Sequence, residues 1–284
     1  MSILEDVEQI AFLGPGGSYT EIAKDKFCEK YDLKRAYYNP FRTIKNVIEF
    51  VDNTPKSVGV IPLENSIEGT VRETIDSFIK TSNKNIKFLS EVIIPINHCL
   101  LSRTTEFYSI SGLIAHPKAI DQCQNFIKNE MPIHLNIIET ANTDEAARKL
   151  QEYNLTYSII GSEKTAQDYN LNILKQNICD EEDNKTKFVL IGDFEMPKTS
   201  NDYTTMAFST QDKAGALLDI LKIFQKYEIN ISYIDSRPSK IEKNEYMFLV
   251  DFAGNIQDEK IQKLSKEIQA NAPFFRFIGS YERF

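Results

Sequence analysis

Four short segments of this sequence put glycine, a small hydroxyl or an amide where a helix is about to begin. They are residues 14–18, residues 66–70, Asn142-Thr143 and Gly161-Ser162. Such junctions offer free backbone N–H groups, side-chain donors and the positive end of a helix dipole, which together suit a carboxylate or a phosphate. Any one of them alone reads first as plain capping. As a set they suggest an anion-holding cleft between α/β lobes. Other chemistries find little support. Gly14-Pro15-Gly16-Gly17 lacks the Gly-x-Gly-x-x-Gly spacing, and no P-loop sequence is present. His98, His116 and His134 are the only histidines, and none stands at ligand spacing from another histidine or a cysteine. No Gly-x-Ser-x-Gly elbow occurs, so a serine hydrolase is not indicated. His134 sits in an alternating, strand-like run and reads as structural.

The elements that must carry these junctions alternate strand and helix through the first two thirds, the pattern of an α/β fold. Residues 9–13 form a short apolar strand, and Ser18-x-x-Glu21 then caps a helix whose Ala23, Phe27 and Tyr31 share a face. Residues 57–62 form a second strand, with Thr70-x-x-Glu73 expected to cap the helix after it. Strands are also expected over 88–99, 112–115, 157–160 and 186–191. Pro117 suits the first turn of a helix, and Asn142-x-x-Glu145 caps another. Residues 193–202 are polar and aperiodic and read as a linker. Beyond it the order is strand, helix, strand, strand, helix, strand, the ferredoxin-like arrangement.

With 284 residues and 42% hydrophobic content, the chain can bury two or three compact units. A net charge of -8 argues against nucleic acid or an anionic membrane as partner. The acidic start and the short apolar runs speak for no targeting peptide and no membrane span. Four dispersed cysteines suggest neither disulfides nor zinc, hence a reduced, cytoplasmic chain.

The wording of the junctions is more specific than their chemistry. Phe12-Leu13-Gly14-Pro15-Gly16-Gly17-Ser18-Tyr19-Thr20, Val60-Ile61-Pro62-Leu63-Glu64-Asn65-Ser66-Ile67-Glu68-Gly69-Thr70-Val71 and Ile96-Asn97-His98-Cys99-Leu100-Leu101 resemble, in order, the signatures of prephenate dehydratases. So do His116-Pro117 with Gln122-Cys123, and Asn184-Lys185-Thr186-Lys187-Phe188. The tail resembles an ACT regulatory domain through Gly215-Ala216-Leu217-Leu218 and Asp235-Ser236-Arg237-Pro238.

The resemblance implies an α/β, two-lobed, periplasmic-binding-protein-like catalytic region over residues 1–194, with the active site between its lobes. A ferredoxin-like βαββαβ ACT domain over 203–284 would follow. It implies decarboxylating dehydration of prephenate to phenylpyruvate, with no metal or other cofactor. Thr186 becomes the expected donor to the departing hydroxyl, with Lys187 as a nearby cation. Glu64, Asn65, Ser66 and Gln122 would complete the catalytic set: Glu64 would anchor loop N–H groups or sit protonated in the cleft, and Asn65 and Ser66 would donate to a substrate carboxylate or keto group. His116 is either an anion contact or a support of the fold. Gly17, Ser18, Thr143 and Phe188 would help to hold substrate. Gly215, Ala216, Leu217, Leu218, Ser236, Arg237 and Pro238 would hold L-phenylalanine as feedback effector between ACT domains of a homodimer or homotetramer. Removing residues 203–284 is then expected to spare activity and abolish the response.

Three positions depart from the family's usual pattern. Lys187 stands for arginine, which keeps the charge and loses the bidentate fork. Ala115 stands for a serine before His-Pro, and Asp235 for a glutamate. Arogenate dehydratase, prephenate decarboxylase and a catalytically weak amino-acid-binding regulator are the alternatives these leave open.

Overall fold

A computed structural model describes residues 3–81, 85–238 and 245–284. The first lobe contains β1 (Gln9–Leu13), α1 (Tyr19–Tyr31), β2 (Tyr37–Phe41), α2 (Ile44–Asn53), β3 (Ser57–Asn65), the two-residue β4 (Gly69–Thr70), α3 (Arg72–Ile79) and β5 (Lys87–Pro95). The second contains β6 (Cys99–Ser102), β7 (Gly112–Ala115), α4 (Pro117–Asp121), α5 (Gln124–Glu130), β8 (Asn136–Glu139), α6 (Thr143–Leu150), β9 (Tyr157–Gly161), α7 (Glu163–Asp168) and β10 (Asn172–Lys175). The chain then returns to the first lobe as β11 (Lys185–Gly192). The C-terminal unit is β12 (Asp202–Gln211), α8 (Ala216–Lys226), β13 (Ile231–Pro238), β14 (Glu245–Ala253), α9 (Glu259–Asn271) and β15 (Phe275–Arg283).

The second lobe is a separate sheet in the order β10-β6-β9-β7-β8. In the first lobe, β3 and β11 are central and covered on both faces, so their side chains are buried almost without interruption. Val58, Val60, Phe188 and Leu190 pack towards α1, whereas Ile61, Leu63, Val189 and Ile191 pack towards α2 and α3. In β11 this alternation parts Thr186 from Lys187, and in β3 a register shift between Pro62 and Glu64 sets Asn65 opposite Thr186 and Glu64 opposite Lys187.

The C-terminal strands run in the order β13-β14-β12-β15, as a ferredoxin-like sheet requires, and β15 continues into β5 through Glu282↔Ser90 and Arg283↔Glu91. One face of this sheet packs on α8 and α9 through Met206, Phe208, Val250 and Phe252. The other lies on the first lobe, where Ala207, Met247, Leu249, Ile278 and Tyr281 share a core with Phe78, Ile79 and Phe88. Gly279 marks the closest approach: a Cβ there would stand 2.4 Å from the Phe88 carbonyl oxygen. Arg276 closes the contact, donating to the Ile79 carbonyl (2.9 Å) and the Thr81 hydroxyl (2.7 Å). A loosely tethered C-terminal unit is therefore not what forms. Phe194 and Met196 of the linker are themselves packed on the first core.

Two local expectations change. Thr70 does not cap α3: the N-cap is Val71, with no side-chain bond, because Thr70 is held in β4 opposite Glu64. His134 lies exposed in a turn ahead of β8 rather than in a strand.

Candidate active site

The strand-to-helix junctions converge. A cleft of about 370 Å³ between the lobes is lined by residues 13–19 of the first junction, by Asn142 and Thr143, by Gly161 and Ser162, and by Asn65 and Thr186. His98, His116, Lys118 and Gln122 close it from the second lobe.

Each junction is built as its sequence dictates. Ser18 caps α1 by accepting from Glu21 N–H (3.3 Å), while Glu21 Oε2 accepts from Gly17 N–H (2.8 Å). Gly17 holds φ at +75°, where a side chain is disfavoured, and a Cβ would sit 3.2 Å from Thr165 Oγ1. Its carbonyl accepts from Ser162 (3.4 Å) and Thr165 (3.3 Å), which ties the first lobe to the start of α7. Asn142 caps α6 through Glu145 N–H (2.8 Å), leaving Thr143 at the helix start facing the cleft.

Asn65 and Thr186 face each other at the ends of β3 and β11 and are both buried. Asn65 Nδ2 donates to Thr186 Oγ1 (2.9 Å), to Asn184 Oδ1 (2.8 Å) and to the Lys185 carbonyl (3.2 Å). Its Oδ1 accepts from the N–H groups of Ile67 (3.0 Å) and Glu68 (3.1 Å). Two backbone donors can only meet an oxygen, so the amide is fixed with its nitrogen towards Thr186. Thr186 Oγ1 therefore accepts from Asn65, and its own proton is free to be given elsewhere. Asn65 has no donor left for a substrate, contrary to the simplest expectation for it.

The other expected residues divide. Ser66 accepts from Lys185 N–H (2.9 Å) and donates to the Asp183 carbonyl (3.1 Å), bracing the loop outside the cleft lining. Phe188 is buried in the first core beneath the cleft. Glu64 and Lys187 alternate to the opposite face, where Lys187 Nζ meets Glu64 Oε2 at 2.5 Å and lies 5.8 Å from the centre of the Tyr233 ring. Glu64 thus partners a cation rather than loop N–H groups, and the structure brings neither residue to the cleft. Gln122 does line it, with Oε1 2.9 Å from His98 Nε2.

Tyr19, His98 and Lys118 were not singled out by sequence reasoning. Tyr19 donates to the Asn97 carbonyl (2.5 Å) and lies 3.4 Å from His98 Nδ1. Burial raises the Tyr19 phenol well above its ordinary value and lowers the His98 imidazole, so both are neutral near pH 7. His116 caps α4, its Nδ1 accepting from Lys118 N–H (3.1 Å). Lys118 is the one ammonium among the described lining residues, and it reaches across to Glu68 (2.8 Å). Behind His98, Cys179 accepts the His98 backbone N–H (3.2 Å), and a hydrogen bond from Cys123 lowers the Cys179 thiol below its ordinary value. The signal for His98 was its place immediately before a buried strand, and for Lys118 its place in the first turn after Pro117.

The candidate effector residues lie on two surfaces. Gly215 caps α8, Ala216 is buried, Leu217 packs on the C-terminal core, and Leu218 is exposed. On β13, Ser236 and Pro238 face outwards, whereas Arg237 faces the first lobe. No one pocket of a single chain joins these two sets among the described residues. The described residues also contain no cluster of three metal-ligating side chains, and no helix is long and apolar enough to cross a membrane.

A two-lobed α/β cleft with paired helix starts, joined to a ferredoxin-like sensor fold, defines the class. Residues 10–195 match the family model described as prephenate dehydratase, and residues 204–267 match the ACT domain. A prephenate dehydratase of Methanocaldococcus jannaschii is 36% identical over 276 residues, covering 95% of this chain and 96% of that protein. A bifunctional chorismate mutase/prephenate dehydratase of Aquifex aeolicus is 34% identical, covering 99% of this chain and 75% of its own length. The crystal structure of prephenate dehydratase from Arthrobacter aurescens in complex with L-Phe superposes with a TM-score of 0.84 at 28% identity, covering 97% of this chain and 90% of that one. The chain belongs to the prephenate dehydratase family and is a carbon–oxygen lyase.

Proposed function

We propose that residues 1–194 convert prephenate to phenylpyruvate in this cleft and that residues 203–284 make the rate responsive to L-phenylalanine. The reaction breaks the bond from the ring to its carboxylate, and those electrons aromatise the ring as the ring C–OH bond breaks. One proton joins the departing hydroxide, so the products are phenylpyruvate, carbon dioxide and water. Thr186, on the wall of the cleft, is the proposed donor of that proton, and it takes a proton back from solvent. The observation that carries the reading is the Asn65 amide, oriented by Ile67 and Glu68 N–H so that it occupies an acceptor site of Thr186 and leaves the hydroxyl proton free. A placed proton donor is typically worth about 100- to 10,000-fold in rate.

The remaining cleft suits a dicarboxylate. The starts of α1 and α6 offer backbone N–H groups and hydroxyls, with Ser18 and Thr143 at their rims. Lys118 supplies a compact positive charge to the same cleft, and neutral His98 and Tyr19 form a wall on which an uncharged ring packs without an ionic competitor. The effector role rests on the ACT match and on the L-Phe bound by the Arthrobacter aurescens relative. Assembly into a homodimer or homotetramer would join the exposed Leu218 and Ser236 surfaces of two chains.

The test is phenylpyruvate formation from prephenate by the purified chain, with and without L-phenylalanine. Turnover suppressed by phenylalanine supports both assignments. Turnover on arogenate alone would replace the substrate, and effector binding by a folded but inactive chain would make it a regulator.

A further inference from the structure

The face of β3 and β11 that points away from the cleft carries an arrangement outside the cleft lining. Lys187 and Glu64 form an ion pair there at 2.5 Å, directly opposite each other and one residue from the Thr186–Asn65 pair on the cleft face. The two side chains are about one quarter exposed. Glu64 is also paired in register with Thr70 of β4, and the Thr70 hydroxyl bonds to the Tyr233 hydroxyl of β13. Lys187 Nζ lies over the same Tyr233 ring at 5.8 Å. Four residues down the strand, Arg237 makes an ion pair with Asp76 of α3 at 2.9 Å. Strand alternation puts Tyr233 and Arg237 on the inner face of β13, and Ser236 and Pro238 on its outer face.

We propose that Lys187 is a positioning residue and not a substrate ligand: with Glu64 it forms the joint through which β13 sets the geometry of Thr186. This rests on the effector reading above and deepens it. Ser236 and Pro238 share β13 with Tyr233, so a ligand that shifts the outer face of that strand moves the Tyr233 ring against Lys187 and Thr70. Thr186 follows because Lys187 is its chain neighbour and Glu64 is the neighbour of Asn65. The Arg237–Asp76 pair holds the far end of β13 on α3, so displacement at Ser236 pivots the strand rather than lifting it. Lysine in place of the family's usual arginine fits this position. It makes one short contact to one carboxylate oxygen and presents its charge to an aromatic ring, neither of which needs a planar fork.

Two variants of the full chain test the joint. Tyr233→Phe removes the hydroxyl contact to Thr70 and keeps the ring. Its uninhibited rate should stay within about twofold of the parent, and L-phenylalanine should still bind by titration calorimetry. The concentration giving half inhibition should rise at least tenfold, or inhibition should become incomplete. Inhibition indistinguishable from the parent, with binding intact, overturns the joint. Lys187→Met should lower kcat at least tenfold with KM for prephenate changed less than threefold, and Lys187→Arg should restore most of the loss. A tenfold rise in KM at unchanged kcat would instead make Lys187 a carboxylate ligand and overturn the proposal. If the parent itself does not bind phenylalanine, the effector reading fails, and the split between kcat and KM in Lys187→Met still decides whether Lys187 positions Thr186.

Discussion

Asn65→Asp is the most exacting perturbation of the site, because it turns an amide nitrogen that makes three hydrogen-bond contacts into an acceptor without changing shape. The parent amide donates to Thr186 Oγ1, Asn184 Oδ1 and the Lys185 carbonyl. A typical net contribution of about 1 kcal/mol for each contact puts the stability loss at roughly 3 kcal/mol. With an unfolding entropy of about 2.1 cal/mol/K per residue over 284 residues, that corresponds to a melting temperature lower by roughly 5 °C. The effect on rate has a different origin. A carboxylate beside Thr186 accepts the hydroxyl proton, which then points away from the leaving group, and turnover should fall by about 100-fold or more. Thermal melting followed by circular dichroism and phenylpyruvate formation followed by absorbance measure the two effects separately. A variant with a lowered melting temperature and kcat within threefold of the parent would refute the link from Asn65 to the Thr186 proton.

Three further outcomes are expected. Gly17→Ala puts a side chain at φ +75° and a Cβ 3.2 Å from Thr165 Oγ1, which costs about 1–2 kcal/mol; KM for prephenate should rise severalfold, and an unchanged KM would remove the loop from substrate binding. Asp251 is buried between β12 and Arg283, and burial raises its carboxyl to about 6. A raised carboxyl stabilises the fold most below the unfolded value and loses that contribution as pH climbs through 6, so Asp251→Asn should be more stable than the parent at pH 8, by on the order of 2–3 kcal/mol, with a higher melting temperature, and show no advantage at pH 4. Equal melting shifts at both values would contradict this. Removal of residues 203–284 strips Met247, Leu249 and Tyr281 from the core shared with Phe78 and Phe88, so the remainder should lose its cooperative melt along with its activity. A truncated chain that melts near the parent's temperature would show the first lobe to be self-sufficient.

That last expectation reverses the one drawn from sequence, and the reason is physical. The polar, aperiodic run before Asp202 looks like a tether, but only tertiary structure shows Phe194 and Met196 packed on the core and β15 extending the sheet of the first lobe. Strands buried on both faces, such as β3 and β11, were legible from their unbroken apolar runs. β2 was missed: it is the sheet edge, contains Pro40 and leaves Tyr37 and Tyr38 exposed, so it shows no alternation. α2 was missed although Ile44, Val47, Ile48 and Val51 recur at helical spacing behind the Thr43 cap, a signal that was there to be read. In the site, motif wording led to Thr186, Asn65 and Gln122, and capping patterns led to the helix starts around the cleft. Motif wording alone could not say that neighbours in a strand face opposite ways. Lys187 and Glu64 adjoin Thr186 and Asn65 in sequence, yet they stand on the far side of the sheet. Lys118 escaped notice because one lysine at a helix start has no pattern of its own.

The most direct measurement compares turnover of prephenate by Thr186→Val and Thr186→Ser, both checked for an unchanged melting profile. Valine keeps the shape and removes the proton, and serine keeps the hydroxyl that Asn65 orients. The account predicts at least a 100-fold loss of kcat in the valine variant and a loss of no more than about tenfold in the serine variant. Equal turnover by the two would contradict it, because the hydroxyl proton of residue 186 would then have no part in expelling the ring hydroxyl.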